Sequence, residues 1–282
     1  MTAFSNCLRG ALALAVFAAL AVPASAATDD DALPSDVKMS GSDIYKRVTK
    51  NRFRSVHQSM ELTSGDRSGT EEHSRMWLTW MNVRDAGDKA VDGFFSKTIV
   101  VYSDPFDLRN TSYLVLQREA PPNDQFMYAR STRKVRRVNL RAETILGTDF
   151  SSEDIAPREL ESASFQRLLD EEIAGAARFV VEAKPKPEQE SQYSRFVMYI
   201  EKEHFVPIRT LYWDTSGVQV KELLCDPASI KDFGGVFIPV KSTMKNLKQD
   251  SYTIATVEKV EPNPKLSERV FDPHRLGKET KN

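Results

Sequence analysis

From Ser55 onward, apolar and polar positions alternate in short runs separated by turn-forming residues. Val56, Gln58, Met60 and Leu62 fall on one side of an extended segment, and Ser64-Gly65-Asp66-Arg67-Ser68-Gly69 follows as a turn. Met76, Leu78 and Trp80 then alternate with Arg75, Trp77, Thr79 and Met81. Phe95, Lys97, Ile99 and Val101 repeat the period after Asp85-Ala86-Gly87-Asp88. Further extended runs lie at residues 112–118, 125–128 and 135–138, and again at 193–200, 207–213, 218–224, 236–245 and 251–260. Period-two alternation punctuated by Gly, Asp and Ser predicts antiparallel strands. Asp214-Thr215-Ser216-Gly217 predicts a hairpin turn between two of them.

Two stretches carry helical periodicity instead. Ser42 is placed to cap a short helix running through Arg52, with Asp43 in the first turn where the helix dipole favours an anion. Residues 159–174 put Leu160, Phe165, Leu168, Leu169 and Ile173 near one side of a helix that Gly175 would end. About eleven strands and two or three helices, with no evident linker, predict one α+β domain over residues 42–282, its helices covering one face of a large antiparallel sheet.

The chain begins differently. Arg9 is the one charge ahead of an apolar run from Gly10 to Val22, and Pro23 leads into Ala24-Ser25-Ala26. This order predicts a signal peptide over residues 1–26, cleaved after Ala26, and hence an exported protein. The run is short for a membrane span. Residues 27–41, with Asp29-Asp30-Asp31 and Pro34, read as a flexible leader. Cys225 is then the one cysteine of the processed chain, a strand-end thiol packed as a small hydrophobe.

Composition narrows the function classes. The 282 residues carry 39 Lys and Arg against 40 Asp and Glu, with 40% hydrophobic and 28% charged positions. That balance is globular, argues against a general nucleic-acid binder and leaves too few cysteines for a disulfide scaffold. No catalytic signature emerges. His57, His73, His204 and His274 lack metal-ligand spacing, and no nucleophile elbow, P-loop or dinucleotide fingerprint is present. The expectation is a non-enzyme with no metal or cofactor. Residues 130–141, RSTRKVRRVNLR, place six cations in twelve residues. Arg130, Arg133, Lys134, Arg136 and Arg137 form either a solvated edge that discourages edge pairing or a docking patch for an anionic head group or acidic partner. Asp149, Glu153 and Asp154 are expected to neutralise part of this run.

Four segments occur in order that carry a resemblance: SDPFDLRNTSYLVLQRE (residues 103–119), DQFMYARSTRKVRRVN (124–139), GTDFSSEDI (147–155) and YSRFVMYIEKEHFVPIRTLYWDTSGVQVKEL (193–223). They resemble the bacterial outer-membrane lipoprotein-sorting family, relatives of the periplasmic carrier LolA. The resemblance implies a half-open antiparallel β-barrel with helices covering its concave face, an apolar cavity, and residence in the periplasm. It also implies a lipid-like cargo, carried alongside inner-membrane exporters of the resistance-nodulation-division type. The more apolar face of each strand then predicts the cavity lining: Met60, Leu62, Met76, Leu78, Trp80, Ile99, Val101, Leu114, Leu116, Phe196, Met198 and Ile200. Burying each methylene gains about 0.8 kcal/mol, so release needs a competing lid, for which residues 42–52 or 159–174 are the candidates. The competing function is an accessory subunit of an envelope complex, its interior filled by its own side chains.

Overall fold

The computed structural model describes residues 39–139, 144–145, 147–156 and 158–278. The expected signal peptide, most of the leader, and Arg141 at the end of the basic run lie outside them. In chain order the elements are helix α1 (Gly41–Lys50), strands β1 (Ser55–Gly65), β2 (Glu71–Asn82), β3 (Phe94–Asp104), β4 (Ser112–Arg118), β5 (Asp124–Ala129) and β6 (Lys134–Arg137). A single helical turn α2 (Ser152–Ile155) precedes β7 (Ala163–Arg167), β8 (Glu171–Ile173), β9 (Ala176–Pro185), β10 (Tyr193–Ile200), β11 (Pro207–Asp214) and β12 (Gln219–Cys225). The last strands are β13 (Ile230–Asp232), β14 (Phe237–Pro239), β15 (Lys241–Asn246) and β16 (Ser251–Pro262).

All but β13 and β14 join one open antiparallel sheet of 14 strands, in the order β6-β5-β4-β3-β2-β1-β16-β15-β12-β11-β10-β9-β7, with β8 also on β9. The first six strands form a meander, and the last strand returns to β1 to join the two halves. The architecture is α+β and half-open, as expected. The strand count exceeds the sequence reading: β9 and β13 are further strands, the run expected over 236–245 divides into β14 and β15, and residues 159–174 are not a helix. After one 3₁₀ turn at Leu160–Ser162 they become β7 and β8, and β9 follows without a break. Ala163, Phe165 and Arg167 alternate inward opposite Pro185, Ala183 and Val181. Ala174 and Gly175 both take positive φ between the paired Ile173 and Ala176, so Gly175 serves a two-residue hairpin turn, not a helix end.

Helix α1 is capped two residues earlier than expected and ends at Lys50, short of Arg52. Ser40 is its cap: the Ser40 Oγ accepts from the Asp43 amide at 3.1 Å, and the Asp43 carboxylate accepts from the Ser40 amide at 3.0 Å. This reciprocal pair satisfies donors that a helix end leaves open. The Asp214 turn forms as expected, its carboxylate accepting from the amides of Ser216 and Val218.

Register settles which side chains share a face, because directly opposed residues in an antiparallel pair point the same way. Met60 faces Met76, Met76 faces Tyr102, and Leu78 faces Val100. From Leu62 the same face continues through Ala255 of β16 and Met244, Leu223, Thr210, Met198 and Val181. This is the inner face. In the second half α1 lies on it, with Ile44 and Tyr45 packed among Phe179, Phe196, Met198, Ile200 and Met244. In the first half Val100, Tyr102, Tyr113 and Val115 pack against Ile145 and Ile155. The outer face of β3 and β4 is also covered, by Phe271 and Leu276 of the C-terminal segment.

Candidate functional site

A cavity of about 750 Å³ opens on the inner side. Lys46 and Thr49 of α1, with Arg52 just past its end, line one wall. Phe95, Gln117 and Gln125 of β3 to β5 line another, and Ser152, Glu153, Arg158 and Glu159 a third, with Phe196 at the base. Its volume falls in the range of small-molecule sites. Its lining is not the greasy surface expected from the strand faces.

Two ionic groups shape it. Arg158 donates to Glu153 at 2.8 Å and lies over the Phe196 ring at 4.2 Å. Burial opposes the Arg158 charge, yet Glu153, Tyr212 and Tyr45 hold its pKa above the usual guanidinium range. Glu153 also accepts from the Gln192 amide at 3.0 Å and from Ser191. The neighbouring Asp154 accepts from Lys221 at 2.7 Å, from the Tyr193 hydroxyl at 2.7 Å and from the Ser151 amide at 2.8 Å. Burial, then Asp154, pushes the Tyr193 hydroxyl far above its ordinary value. These bonds fasten residues 151–156 and Arg158 across the inner face.

The second group is built on Glu159, the residue next to Arg158 on the same wall. Arg84 pairs with Glu159 and lies over the Phe95 ring at 4.8 Å, while Gln117 donates to Glu159 at 3.0 Å. Burial raises the Glu159 pKa and lowers that of Arg84; each charge is disfavoured by desolvation and restored in part by the other.

The expected cavity residues divide by face. Met60, Leu62, Met76, Leu78, Trp80, Phe196, Met198 and Ile200 share the inner face. Phe196 reaches the cavity. Leu62 (1% exposed), Met198 (5%) and Ile200 (0%) are sealed in the core, and Trp80 packs with Phe53, Val56 and Phe233. Ile99, Val101, Leu114 and Leu116 do not join them. Ile99 opposes Thr79 and Leu114, Val101 opposes Trp77, and this group packs under Phe271 and Leu276 on the outer face. Strands covered on both sides are apolar on both sides, so the more apolar face was no guide to the inner one.

The expected neutralisation of the basic run is also corrected. Asp149 binds Thr253 and Ser251, Glu153 binds Arg158 and Asp154 binds Lys221, all on the inner side. It is Asp124 that meets the run, pairing with both Arg137 and Arg118. Arg133, Lys134, Arg136 and Arg137 are exposed on β6 and its turn, and Arg130 is half-buried at the end of β5. Sequence reasoning missed Arg84, Arg158, Glu159 and Lys221; Lys221 stands beside Glu222 in β12 and reads as one of a solvated charged pair, so the sequence carried no signal for its burial.

Cys225 ends β12, and burial pushes its thiol pKa up to about 12. Among the described residues no three His, Cys, Asp or Glu side chains converge as a metal site. Among them, no helix is long and apolar enough to cross a membrane.

This open antiparallel sheet, with a helix on its inner face, is a fold shared with solved structures of other proteins. The chain is similar to a domain assigned to outer-membrane lipoprotein sorting from Vibrio parahaemolyticus, with a TM-score of 0.75 and 21% identity over 84% of this chain and 98% of that one. It is similar to a DUF1329 family protein from Desulfovibrio piger, with a TM-score of 0.77 and 19% identity over 84% and 97%. A LolA superfamily protein from Nitrosomonas europaea matches with a TM-score of 0.66 and 16% identity over 83% and 98%. No curated protein matches the chain. A family model described as "-like: Uncharacterized protein" matches residues 95–278, and the chain belongs to that family.

Proposed function

We propose that the protein is a periplasmic carrier that binds an amphiphile, a lipid or lipid-modified molecule with a polar head. The observation that carries this reading is the cavity of about 750 Å³ between α1 and residues 152–156 and 158–163, where charged walls meet the Phe196 ring above an apolar inner face. A head group with hydrogen-bonding atoms suits such walls, and the acyl part would follow the apolar face beneath α1. That face is closed here, so α1 acts as the lid. The 159–174 segment, being strand and hairpin, does not. A resistance-nodulation-division exporter is the partner that the family resemblance implies, and it is tested by co-purification from membranes.

Uptake decides the main point. Delipidated protein should take up a pyrene-labelled phospholipid saturably, and Ser162→Trp, which fills the cavity from a half-buried position on its wall, should lower the affinity about tenfold or more. No uptake by the wild type, together with native mass spectra free of lipid adducts, would overturn the carrier reading.

A second reading has its own support. The inner face is largely filled by the chain's own side chains, as an accessory subunit of an envelope complex would need. A folded protein that copurifies with an envelope complex and never takes up lipid would establish that alternative.

A further inference from the structure

The basic run and an exposed aromatic form one surface that neither the cavity nor the fold requires. The loop between β3 and β4 and the loop between β5 and β6 lie at the same end of the sheet, since these four strands are sequential antiparallel neighbours. At the first loop stands Phe106, 68% exposed. Two guanidiniums flank its ring: Arg130 at 4.3 Å and Arg109 at 5.6 Å from the centroid. Arg130 also donates to the Phe106 carbonyl at 2.7 Å, and Arg109 donates to the Ser103 carbonyl at 3.1 Å. The ring is therefore held outward with cations beside it, and each guanidinium has five N–H donors, most of them left for another acceptor.

Beyond Phe106 the turn at Arg133 leads into β6, the outermost strand, where Lys134, Val135, Arg136 and Arg137 are all exposed. Asp104, Asp107 and Asp124 are the carboxylates nearby in these segments, so cations outnumber them. β6 runs back from the Phe106 end of the sheet to Asp124, which binds Arg137 and the cavity-lining Arg118. Asn139, just past β6, lines the cavity too.

We infer that this edge is a docking surface for an anionic lipid bilayer. Phe106 enters the head-group layer, the flanking arginines and the β6 cations take lipid phosphates, and the cavity rim is brought to the membrane. A protruding aromatic with guanidiniums at its base suits a soft, anionic, groove-less surface, because apolar insertion and attraction to anionic head groups add. The bilayer, not an acidic protein, is favoured because the exposed cations are spread over a loop tip and along the edge strand β6 beside a protruding aromatic ring, a layout that suits many equivalent phosphates and an apolar layer beneath them. Docking does not depend on the carrier reading; that reading only supplies its purpose.

Vesicle flotation of the full chain tests it. Wild-type protein should float with vesicles of phosphatidylcholine mixed with phosphatidylglycerol, not with phosphatidylcholine alone, and added salt should weaken the association. Each cation removed should lower binding about fivefold, so Arg133→Asn with Arg136→Gln should cost about 25-fold. Asn suits the left-handed φ of 52° at Arg133. Phe106→Ala should cost about tenfold with the salt dependence kept. Phe106→Trp should show a blue-shifted emission with the anionic vesicles alone. Lipid uptake in detergent should be unchanged in all three variants, which separates a failure of docking from a failure of the carrier reading. No binding to anionic vesicles at low salt, or equal binding by wild type and variants, would overturn the proposal. Binding of the same surface to an acidic protein in the absence of vesicle binding would overturn it as well.

Discussion

Arg84 has a side chain 1% exposed, and its carboxylate partner Glu159 stands on the cavity wall. Such a pair is retained at a cost, because desolvating both ions offsets most of their attraction. The directions of the two pKa shifts say the same: burial raises Glu159 and lowers Arg84, so each pays for the other's presence. The consequence is an asymmetry between single and double substitution. Glu159→Leu takes the nearest carboxylate from a buried guanidinium, leaving Asp88 at 3.8 Å, and should lose about 3 kcal/mol in urea unfolding. Arg84→Met combined with Glu159→Leu should recover most of that loss, because neither ion then remains buried. Equal losses for single and double variants would show that the pair contributes nothing as a pair. None of this was legible in the sequence. Arg84 and Glu159 are 75 residues apart, and nothing in their neighbourhoods distinguishes them from solvated charges.

Helix α1 shows how closely an element can be fitted to its bed. A methyl group at Gly41 would stand 2.6 Å from the Arg167 amide nitrogen and 2.8 Å from the Phe165 carbonyl carbon, both backbone atoms of β7. In an isolated helix Gly→Ala is stabilising by about 1 kcal/mol. Here the sign reverses: Gly41→Ala must push α1 off β7, at about 1–3 kcal/mol for overpacking. Hydrogen exchange across residues 41–50 should quicken, and lipid uptake should speed with it, since the helix seals the inner face. Unchanged exchange in that segment would remove α1 as the lid. The helix itself was legible, through Asp43 in its first turn, although Ser42 was read as the cap that Ser40 supplies. β7 was not. Leu160, Phe165, Leu168, Leu169 and Ile173 satisfy a helical period, but Phe165 is required opposite Ala183 and against the Tyr45 ring at 4.0 Å, a non-local demand that outweighs local periodicity. Leu169, on the apolar side of the expected helix, is instead 89% exposed between β7 and β8.

At the scale of the molecule, one sheet serves two cores. The alternation from Ser55 to Val260 was enough to read an antiparallel sheet, and the ordered segments carrying the LolA-like resemblance were enough to read its curvature. Which face of β3 and β4 lies inside was not readable, because Val100 and Val115 pack inward while Ile99 and Leu114 pack outward. The deciding signal lay far downstream, in Val270, Phe271 and Leu276, apolar residues of the C-terminal segment that need a partner surface. Two cores on opposite faces make stability and binding separable. Leu114, 0% exposed, sits wholly in the outer core. Leu114→Ala should cost about 2–5 kcal/mol of stability through lost contacts and a residual cavity. Because the sheet backbone stands between that cavity and the inner face, lipid uptake per folded molecule should stay at the wild-type level. Met198→Ala, a deletion of similar size on the inner face beneath α1, should cost stability by a comparable amount and alter uptake as well. The two variants therefore differ in uptake and not in stability. If Leu114→Ala changed uptake as strongly as Met198→Ala, the ligand would be lodged against the outer face or in both cores, and the inner cavity would lose its role.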